Sequence, residues 1–209
     1  MEDDPSQVAH YCTLNSLLCD GFRTLLPEDP YYAARGKANK AFANAELETL
    51  QYAIKTFDKS AAIIEAGCGA GQMCLLLVAA GFTCMTGFEM MQSRYDAAKT
   101  LAGRVAYNAH WPSAVEPLLI NEKYPRSMES SYDLLITMNV VNSEWDDQPE
   151  PYAALRGVQH AIVDARLWGI VREDSGDQAL LINDMLAQTE MRRAQRISMH
   201  STIWHLSRS

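Results

Sequence analysis

One stretch, IIEAGCGAGQ at residues 63–72, restricts the fold of this chain more than any other part of the sequence. An apolar run ends there in a carboxylate, Glu65, and glycines follow at alternate positions, Gly67, Gly69 and Gly71. Because glycine has no side chain, such a turn between a strand and a helix lets a ligand approach the main chain closely, near the positive end of the helix dipole. The stretch therefore predicts a nucleotide-type binding site.

From residue 61 onward, short apolar segments alternate with segments of helical periodicity. The predicted strands cover residues 61–65, 82–89, 118–121, 132–138 and 166–171, and the predicted helices cover residues 72–80, 93–102, 151–163 and 177–190, the first two ended by Gly81 and Gly103. Such alternation is typical of a mostly parallel sheet with helices on both faces. The tail from Arg192 breaks the alternation and predicts an antiparallel hairpin at the sheet edge. The sequence thus predicts a doubly wound, seven-stranded α/β fold.

The first 59 residues have helical patterns only. Asp4 is suited to cap a helix that starts at Pro5, and its apolar stripe stops at Pro27. A proline-bounded loop, PEDPYYAARGK, then precedes a second helix. We expect residues 1–59 to form a helical cap or lid on a core of residues 60–209, together one compact domain, as suits a chain of 209 residues.

Composition indicates an ordinary globular protein, with 48% hydrophobic residues and a formal net charge of −8. That charge argues against a nucleic-acid binder, which needs clustered Lys and Arg. No apolar run reaches the ~18 residues that cross a bilayer, and the acidic start MEDDPSQ is unlike a signal peptide. The 5 cysteines have no metal-like spacing and are typical of reduced thiols. We expect a cytoplasmic protein that uses neither a membrane nor a metal.

The residues around the glycines favour one class of nucleoside over another. A dinucleotide fingerprint has its third glycine at the position that Gln72 occupies here. Glu65 would repel a pyrophosphate, whereas it would attract the ammonium and sulfonium groups of S-adenosylmethionine. A strand ending in Glu89 supplies a carboxylate for ribose hydroxyls, which either nucleoside would use.

These residues resemble the class I (Rossmann-like) S-adenosylmethionine-dependent methyltransferases, whose first motif is an acid followed by G-x-G-x-G. The resemblance implies S-adenosylmethionine as cofactor and Glu89 as the ribose ligand. It also implies an adenine contact after the third strand, either Asn121 or Glu122 with Glu122 favoured, and a Tyr132-Asp133 pair that opens the fourth strand. The implied cofactor-binding residues are Glu65, Gly67, Gly69, Gly71, Gln72, Glu89, Met90, Asn121, Glu122 and Asn139.

The sequence alone does not determine which residues bind the methyl acceptor. The loop after the fourth strand contains candidates to meet a substrate, or else forms a helix cap and a solvated acidic loop: Asn139, Asn142, Glu144, Trp145 and Asp146. The N-terminal segment offers a lid of Tyr31, Tyr32 and Arg35, with ordinary helix packing as the alternative. No residue has the sequence signature of a catalytic base. The catalytic candidates are Asn142, Glu144 and Tyr32.

We therefore predict a methyltransferase that uses S-adenosylmethionine and transfers the methyl group in line, with a small-molecule acceptor favoured over a protein. Holding the nucleophile close and aligned would supply most of the catalysis. Two alternatives stay open: an NAD-binding oxidoreductase, and a non-catalytic module that binds a nucleoside or a partner. A monomer and a homodimer fit the sequence equally.

Overall fold

A computed structural model describes residues 5–35, 40–108, 116–124, 132–138, 152–165, 178–197 and 202–209. In chain order its helices and strands are α1 Pro5–Leu25, α2 Pro30–Arg35, α3 Lys40–Thr56, β1 Ala62–Ala66, α4 Gln72–Ala79, β2 Cys84–Phe88, α5 Gln92–Asn108, β3 Leu118–Ile120, β4 Tyr132–Thr137, β5 Val158–Asp164, α6 Gln178–Gln188, β6 Arg193–Arg196 and β7 Ile203–Ser207. Within these ranges, every helix is too short or too polar to cross a lipid bilayer.

The strands form one 7-stranded sheet in the order β3-β2-β1-β4-β5-β7-β6. Strands β1 to β5 are parallel to one another, and β7 runs antiparallel to both β5 and β6. The strand order changes direction between β1 and β4, which is the switch point where ligands bind in open α/β sheets. The predicted doubly wound sheet with an antiparallel C-terminal hairpin is confirmed.

Strand β1 shows why the sheet is covered on both faces. Successive side chains of a strand point to opposite faces. Ile63 belongs to a buried cluster with residues of α1, α3, α4 and α5, whereas Ile64 belongs to a second cluster with residues of α6 and β7. Leu14, Leu18 and Phe22 place α1 in the first cluster at helical spacing, so the cap helices share a core with the sheet.

The predicted helix at residues 151–163 is wrong. Strand β5, Val158–Asp164, occupies its second half, after a 3-10 turn at Ala153–Leu155 and a left-handed Gly157 with φ 79°. The last four residues of β5 are buried because both faces of the strand are covered, with Ile162 in the first cluster and Ala161 and Val163 in the second. An apolar run as short as residues 161–163 cannot be distinguished from part of a buried helix by periodicity. The strand predicted at 166–171 lies outside the described residues.

Two smaller predictions also differ from the structure. Helix α5 continues through Gly103 to Asn108. A Cβ at Gly103 would meet nothing within 4 Å, so this glycine is an open helical position and does not end the helix. The segment expected to be a loop contains helix α2, because Asp29 caps it and Pro30 suits the first helical position.

Candidate functional site

The glycine loop connects β1 to α4 at the switch point of the sheet. Gly67, Gly69 and Gly71 have φ angles of 65°, 56° and 80°. All three lie in the left-handed region, where a side chain would be strained. The alternate glycines of the sequence are therefore required by the main chain of this turn.

Four successive main-chain N–H groups of this loop, those of residues 68–71, are bonded to acceptors within the protein. The four bonds run from Cys68 N to Phe88 O at 2.8 Å, from Gly69 N to Glu89 Oε2 at 2.9 Å, from Ala70 N to Tyr32 Oη at 2.6 Å and from Gly71 N to Cys68 O at 2.8 Å. A phosphate-binding loop directs such N–H groups at its ligand. Here a carboxylate and a phenol oxygen accept two of them.

Glu89 follows strand β2 and is buried. Besides accepting from Gly69, its carboxylate accepts from Met91 N through Oε1 at 2.8 Å. Since an ionised carboxylate has about four acceptor positions, these two bonds leave Glu89 able to accept from ribose hydroxyls as well. Its position beside the glycine loop fits the ribose role that the resemblance implies.

Glu65 ends strand β1 and is also buried, but it faces the first turn of α4. Its Oε2 accepts from Cys74 N at 3.1 Å and from Cys74 Sγ at 2.9 Å. The predicted contact with a cofactor ammonium stays a prediction. The carboxylate adds negative charge beneath the loop in either case.

The pKa values of two buried thiols reflect the negative charge around the loop. The pKa of Cys68 is raised: its hydrogen bond with Cys74 would lower it, but burial and the charges of Glu65 and Glu89 outweigh that bond. Burial first, then the bond with Cys68 and the charge of Glu65, hold the pKa of Cys74 well above its usual value. Both thiols therefore stay protonated and unreactive.

Helix α2 lies directly over the loop. Tyr32 is only 3% exposed, and a Cβ on Gly69 would be 2.0 Å from its Oη. Asp29 Oδ1 accepts from the main-chain N–H groups of Tyr31 and Tyr32, at 3.0 and 3.3 Å. Arg94 on α5 bonds to Asp29 Oδ2 at 2.8 Å and lies over both tyrosine rings. This set of contacts, the α2 latch, fastens the cap to the loop.

Gln72, the first residue of α4, faces the cap. Its Nε2 donates to Asn15 on α1 and to Glu46 Oε2 on α3, the latter at 2.6 Å. Asn15 and Glu46 were missed from the sequence. A signal existed for Glu46, because it lies four and seven residues before Leu50 and Ala53, on the buried stripe of α3. A carboxylate on an otherwise apolar, buried helix face is a candidate functional residue.

The remaining predicted residues divide by position. Asn121, after β3, donates from Nδ2 to Gln92 Oε1, and its Oδ1 is buried without a partner among the described residues. Glu122 and Met90 are exposed, Met90 at 51%. Asp133 accepts from Ala62 N at 2.8 Å, at the amino ends of β1 and β4, opposite the end that carries the glycine loop. The substrate-loop residues Asn139, Asn142, Glu144, Trp145 and Asp146, together with the Arg35 side chain, lie outside the described residues.

A parallel sheet of this order, with a glycine loop after its first strand and an acid after its second, defines the class I (Rossmann-like) methyltransferase fold. No protein-family model matches the chain, and no curated protein matches it significantly.

Solved methyltransferases do resemble it. Magnesium protoporphyrin IX methyltransferase from Synechocystis PCC 6803 with bound S-adenosylhomocysteine has 14% identity and a TM-score of 0.59, over 91% of this chain and 93% of that chain. The same enzyme with bound S-adenosylmethionine gives 16% and 0.57, over 79% of each. A ribosomal protein L11 methylase from Lactobacillus delbrueckii subsp. bulgaricus gives 12% and 0.53, over 78% and 77%. The chain shares their fold.

Proposed function

We propose that this chain is a methyltransferase that uses S-adenosylmethionine and acts on a small-molecule acceptor. One observation carries the proposal: the buried carboxylates of Glu65 and Glu89 lie beside the glycine loop, and the N–H groups of residues 68–71 already have acceptors. Negative charge repels a pyrophosphate and attracts a cationic sulfur nucleoside. The resemblance of the fold to solved methyltransferases supports the same cofactor.

The proposed cofactor contacts follow from the polar groups at the loop. Glu89 accepts from the ribose hydroxyls. Asn121 takes the adenine, because its buried Oδ1 is an acceptor that suits the adenine amino group; the exposed side chain of Glu122 is less suited. The charge of Glu65 acts through space, since its Oε2 bonds with Cys74. Gly67, Gly69, Gly71, Gln72, Met90 and Asn139 stay predicted contacts.

When bound, the cofactor supplies an electrophilic methyl group on a sulfonium sulfur. The chain itself has to hold the acceptor atom in line with that group and exclude water, which is worth on the order of 7–11 kcal/mol in well-oriented reactions. Tyr32 packs against the loop and closes it from the cap side, so we give it a positioning role. Asn142 and Glu144 stay catalytic candidates.

A small molecule is the favoured acceptor because the net charge of −8 disfavours nucleic acid. The similar enzymes are named for a porphyrin and for a ribosomal protein, so a protein acceptor is the second candidate. Residence in the cytoplasm and a monomeric or homodimeric state stay predictions.

The test is thermal unfolding of the chain with S-adenosylhomocysteine and, separately, with NAD. A ligand at 100 times its Kd adds about 2.7 kcal/mol of stability, and we expect this with S-adenosylhomocysteine only. Stabilisation by NAD alone would support the oxidoreductase. If S-adenosylhomocysteine binds but S-adenosylmethionine with a labelled methyl group yields no labelled product over an acceptor panel, the non-catalytic module is favoured.

A further inference from the structure

The hydroxyl of Tyr32 lies on the glycine loop, in the space that the missing side chain of Gly69 leaves open. Its Oη accepts a hydrogen bond from Ala70 N at 2.6 Å. A Cβ built on Gly69 would lie only 2.0 Å from the same oxygen. Glycine allows another group to approach the main chain this closely, and in this structure that group is the Tyr32 hydroxyl.

A ligand in contact with Gly69 needs the space that this hydroxyl occupies. Ligand contact with Gly69 and the observed position of Tyr32 therefore exclude each other. A ligand that displaces the hydroxyl also has to offer an acceptor to Ala70 N, because a buried N–H group without a partner is unfavourable. S-adenosylmethionine carries a carboxylate and hydroxyl oxygens, so the proposed cofactor can supply that acceptor.

Helix α2 is a small element that can move while the sheet stays folded. It has 6 residues, and a helix of this length is not stable alone in water. Asp29 caps it and bonds to Arg94, and the Tyr32 ring packs on Phe22 of α1, with 4.9 Å between the ring centroids. The turn between α1 and α2 is exposed at residues 27–28. Elements that open for ligands are drawn from such weakly stabilised segments.

We propose that the α2 latch is a gate on the cofactor site: this structure is the closed form, in which Tyr32 occupies the glycine loop, and S-adenosylmethionine binds when α2 withdraws. The inference rests on the proposed function and adds regulation of the same site. A displaced Tyr32 lies over the bound cofactor, so the positioning role proposed above is compatible with the gate.

A gate makes a prediction that an ordinary binding contact does not make. When a ligand binds only the open form, its apparent Kd is the intrinsic Kd divided by the fraction of chains that are open. Weakening the latch raises that fraction and tightens binding. Loss of a contact with the bound cofactor would instead weaken binding.

Tyr32→Phe removes the hydroxyl and keeps the ring. Because the bond to Ala70 exists in the closed form only, we expect the Kd for S-adenosylhomocysteine, measured by calorimetry on the full chain, to fall about three- to tenfold. The matched control is Tyr52→Phe, which removes a hydroxyl that lies 2.8 Å from His205 Nδ1, away from the loop, and should leave the Kd unchanged. An unchanged or higher Kd in Tyr32→Phe would overturn the inference.

The rate constants for S-adenosylhomocysteine, measured by stopped-flow fluorescence, show in which form the hydroxyl acts. For Tyr32→Phe we expect the association rate constant to rise about three- to tenfold and the dissociation rate constant to stay within about twofold of wild type. Faster dissociation with unchanged association would mean that the hydroxyl contacts the bound cofactor, and the gate would be refuted.

Two further variants separate the gate from a simple effect of charge. The pKa of Arg94 is raised: burial would lower it, but the hydrogen bond and charge of Asp29, together with charges that include Glu89, outweigh burial. Removal of Arg94 alone therefore also changes the electrostatic environment of Glu89. Asp29→Ala and Arg94→Met change the net charge in opposite directions, yet both break the latch.

We expect both variants to lower the Kd for S-adenosylhomocysteine about threefold or more. Opposite shifts in the two variants would assign the effect to charge and overturn the inference. Arg104→Met, at an exposed position of the same helix as Arg94, is the control and should bind as wild type does. This pair also tests the gate if Tyr32→Phe fails to fold.

Failure of the proposed function has a different signature. If neither wild type nor any variant binds S-adenosylhomocysteine, the proposed cofactor is wrong and the gate falls with it. If wild type binds and the Kd is the same in Tyr32→Phe, Asp29→Ala and Arg94→Met, the gate alone is overturned and the proposed cofactor stands.

Discussion

At the scale of single residues, the carboxylate of Glu89 accepts two main-chain hydrogen bonds that have different structural roles. It orders the glycine loop by accepting from Gly69, and it anchors the turn into α5 by accepting from Met91. A ligand that approaches the loop therefore meets a carboxylate that is already oriented. Such preorganisation reduces the cost of binding, since the side chain loses little freedom when the ligand arrives.

Glu89→Gln tests this residue. We expect the Kd for S-adenosylhomocysteine, measured by calorimetry, to rise about tenfold or more, because an amide accepts ribose hydroxyls less well than a carboxylate does. Stability should fall by about 1–2 kcal/mol as one charge-assisted bond to the main chain weakens. Glu116→Gln, an exposed acid just before β3, is the control and should change neither quantity. An unchanged Kd in Glu89→Gln would refute the ribose role.

At the scale of elements, the α2 latch determines how the cap meets the loop. Helix α2 has only 6 residues, too few to be stable alone in water. Its order depends on the Asp29 cap, on Arg94 and on the bond between Tyr32 and Ala70. The pKa of Asp29 is lowered, since the hydrogen bond and charge of Arg94 outweigh the effect of burial, which would raise it.

Arg94→Met should release α2 while the sheet stays folded. We expect the amides of Tyr31, Tyr32 and Ala70 to exchange with deuterium about tenfold faster or more, because Asp29 then loses its partner and Tyr32 its support. Amides of β1 and β4 should keep their protection. Arg104→Met, an exposed arginine on the same helix, is the matched control. Identical exchange in the two variants would show that the latch does not hold α2.

The elements also show what sequence can and cannot predict. The glycine loop and strands β1, β2 and β4 were predicted because their signals are local: alternate glycines, short apolar runs and boundary residues. The sequence of β5 predicts a helix because its apolar residues face both sides of the sheet and do not alternate with polar ones. The Gln72 side chain bonds to Asn15 and Glu46, which lie 57 and 26 positions before it in the sequence. Contacts between residues so far apart have no local signature in the sequence.

At the scale of the whole molecule, a second polar group lies between the sheet and α3. His160 on β5 and His205 on β7 stack, with His160 Nδ1 3.0 Å from His205 Nε2. Tyr52 Oη lies 2.8 Å from His205 Nδ1. Burial, then the neighbouring His160, lowers the pKa of His205 to about 4. Burial also lowers the pKa of His160, against the opposing charge of Asp133.

This pair makes stability depend on pH. Because the folded-state pKa values lie below 6.5, protons bind the unfolded chain better. The stability from the neutral pair is therefore complete above pH 6.5 and is lost as pH falls toward 4. For His205 we expect a loss of about 1–2 kcal/mol after allowance for the partly exposed ring. If both rings were protonated, the N–H groups at His160 Nδ1 and His205 Nε2 would face each other and repel.

Urea unfolding of wild type and His205→Gln between pH 6.5 and 4 measures this loss, and the variant should lose about 1 kcal/mol less than wild type. His10→Gln, which replaces an exposed histidine, should follow the wild-type curve. Parallel curves for wild type and His205→Gln would contradict the prediction.

The place of β7 between β5 and β6 has a consequence for biosynthesis. On the ribosome, β5 emerges well before Ile203–Ser207, the segment that pairs with its outer edge. Until that segment pairs with β5, the outer edge of the strand around Ile162 and Val163 is unpaired in the nascent chain. An unpaired strand edge can bind a strand of another chain. Translation must therefore reach residue 207 before this edge is protected, and a chaperone that shields it in the interval would raise the yield of native protein.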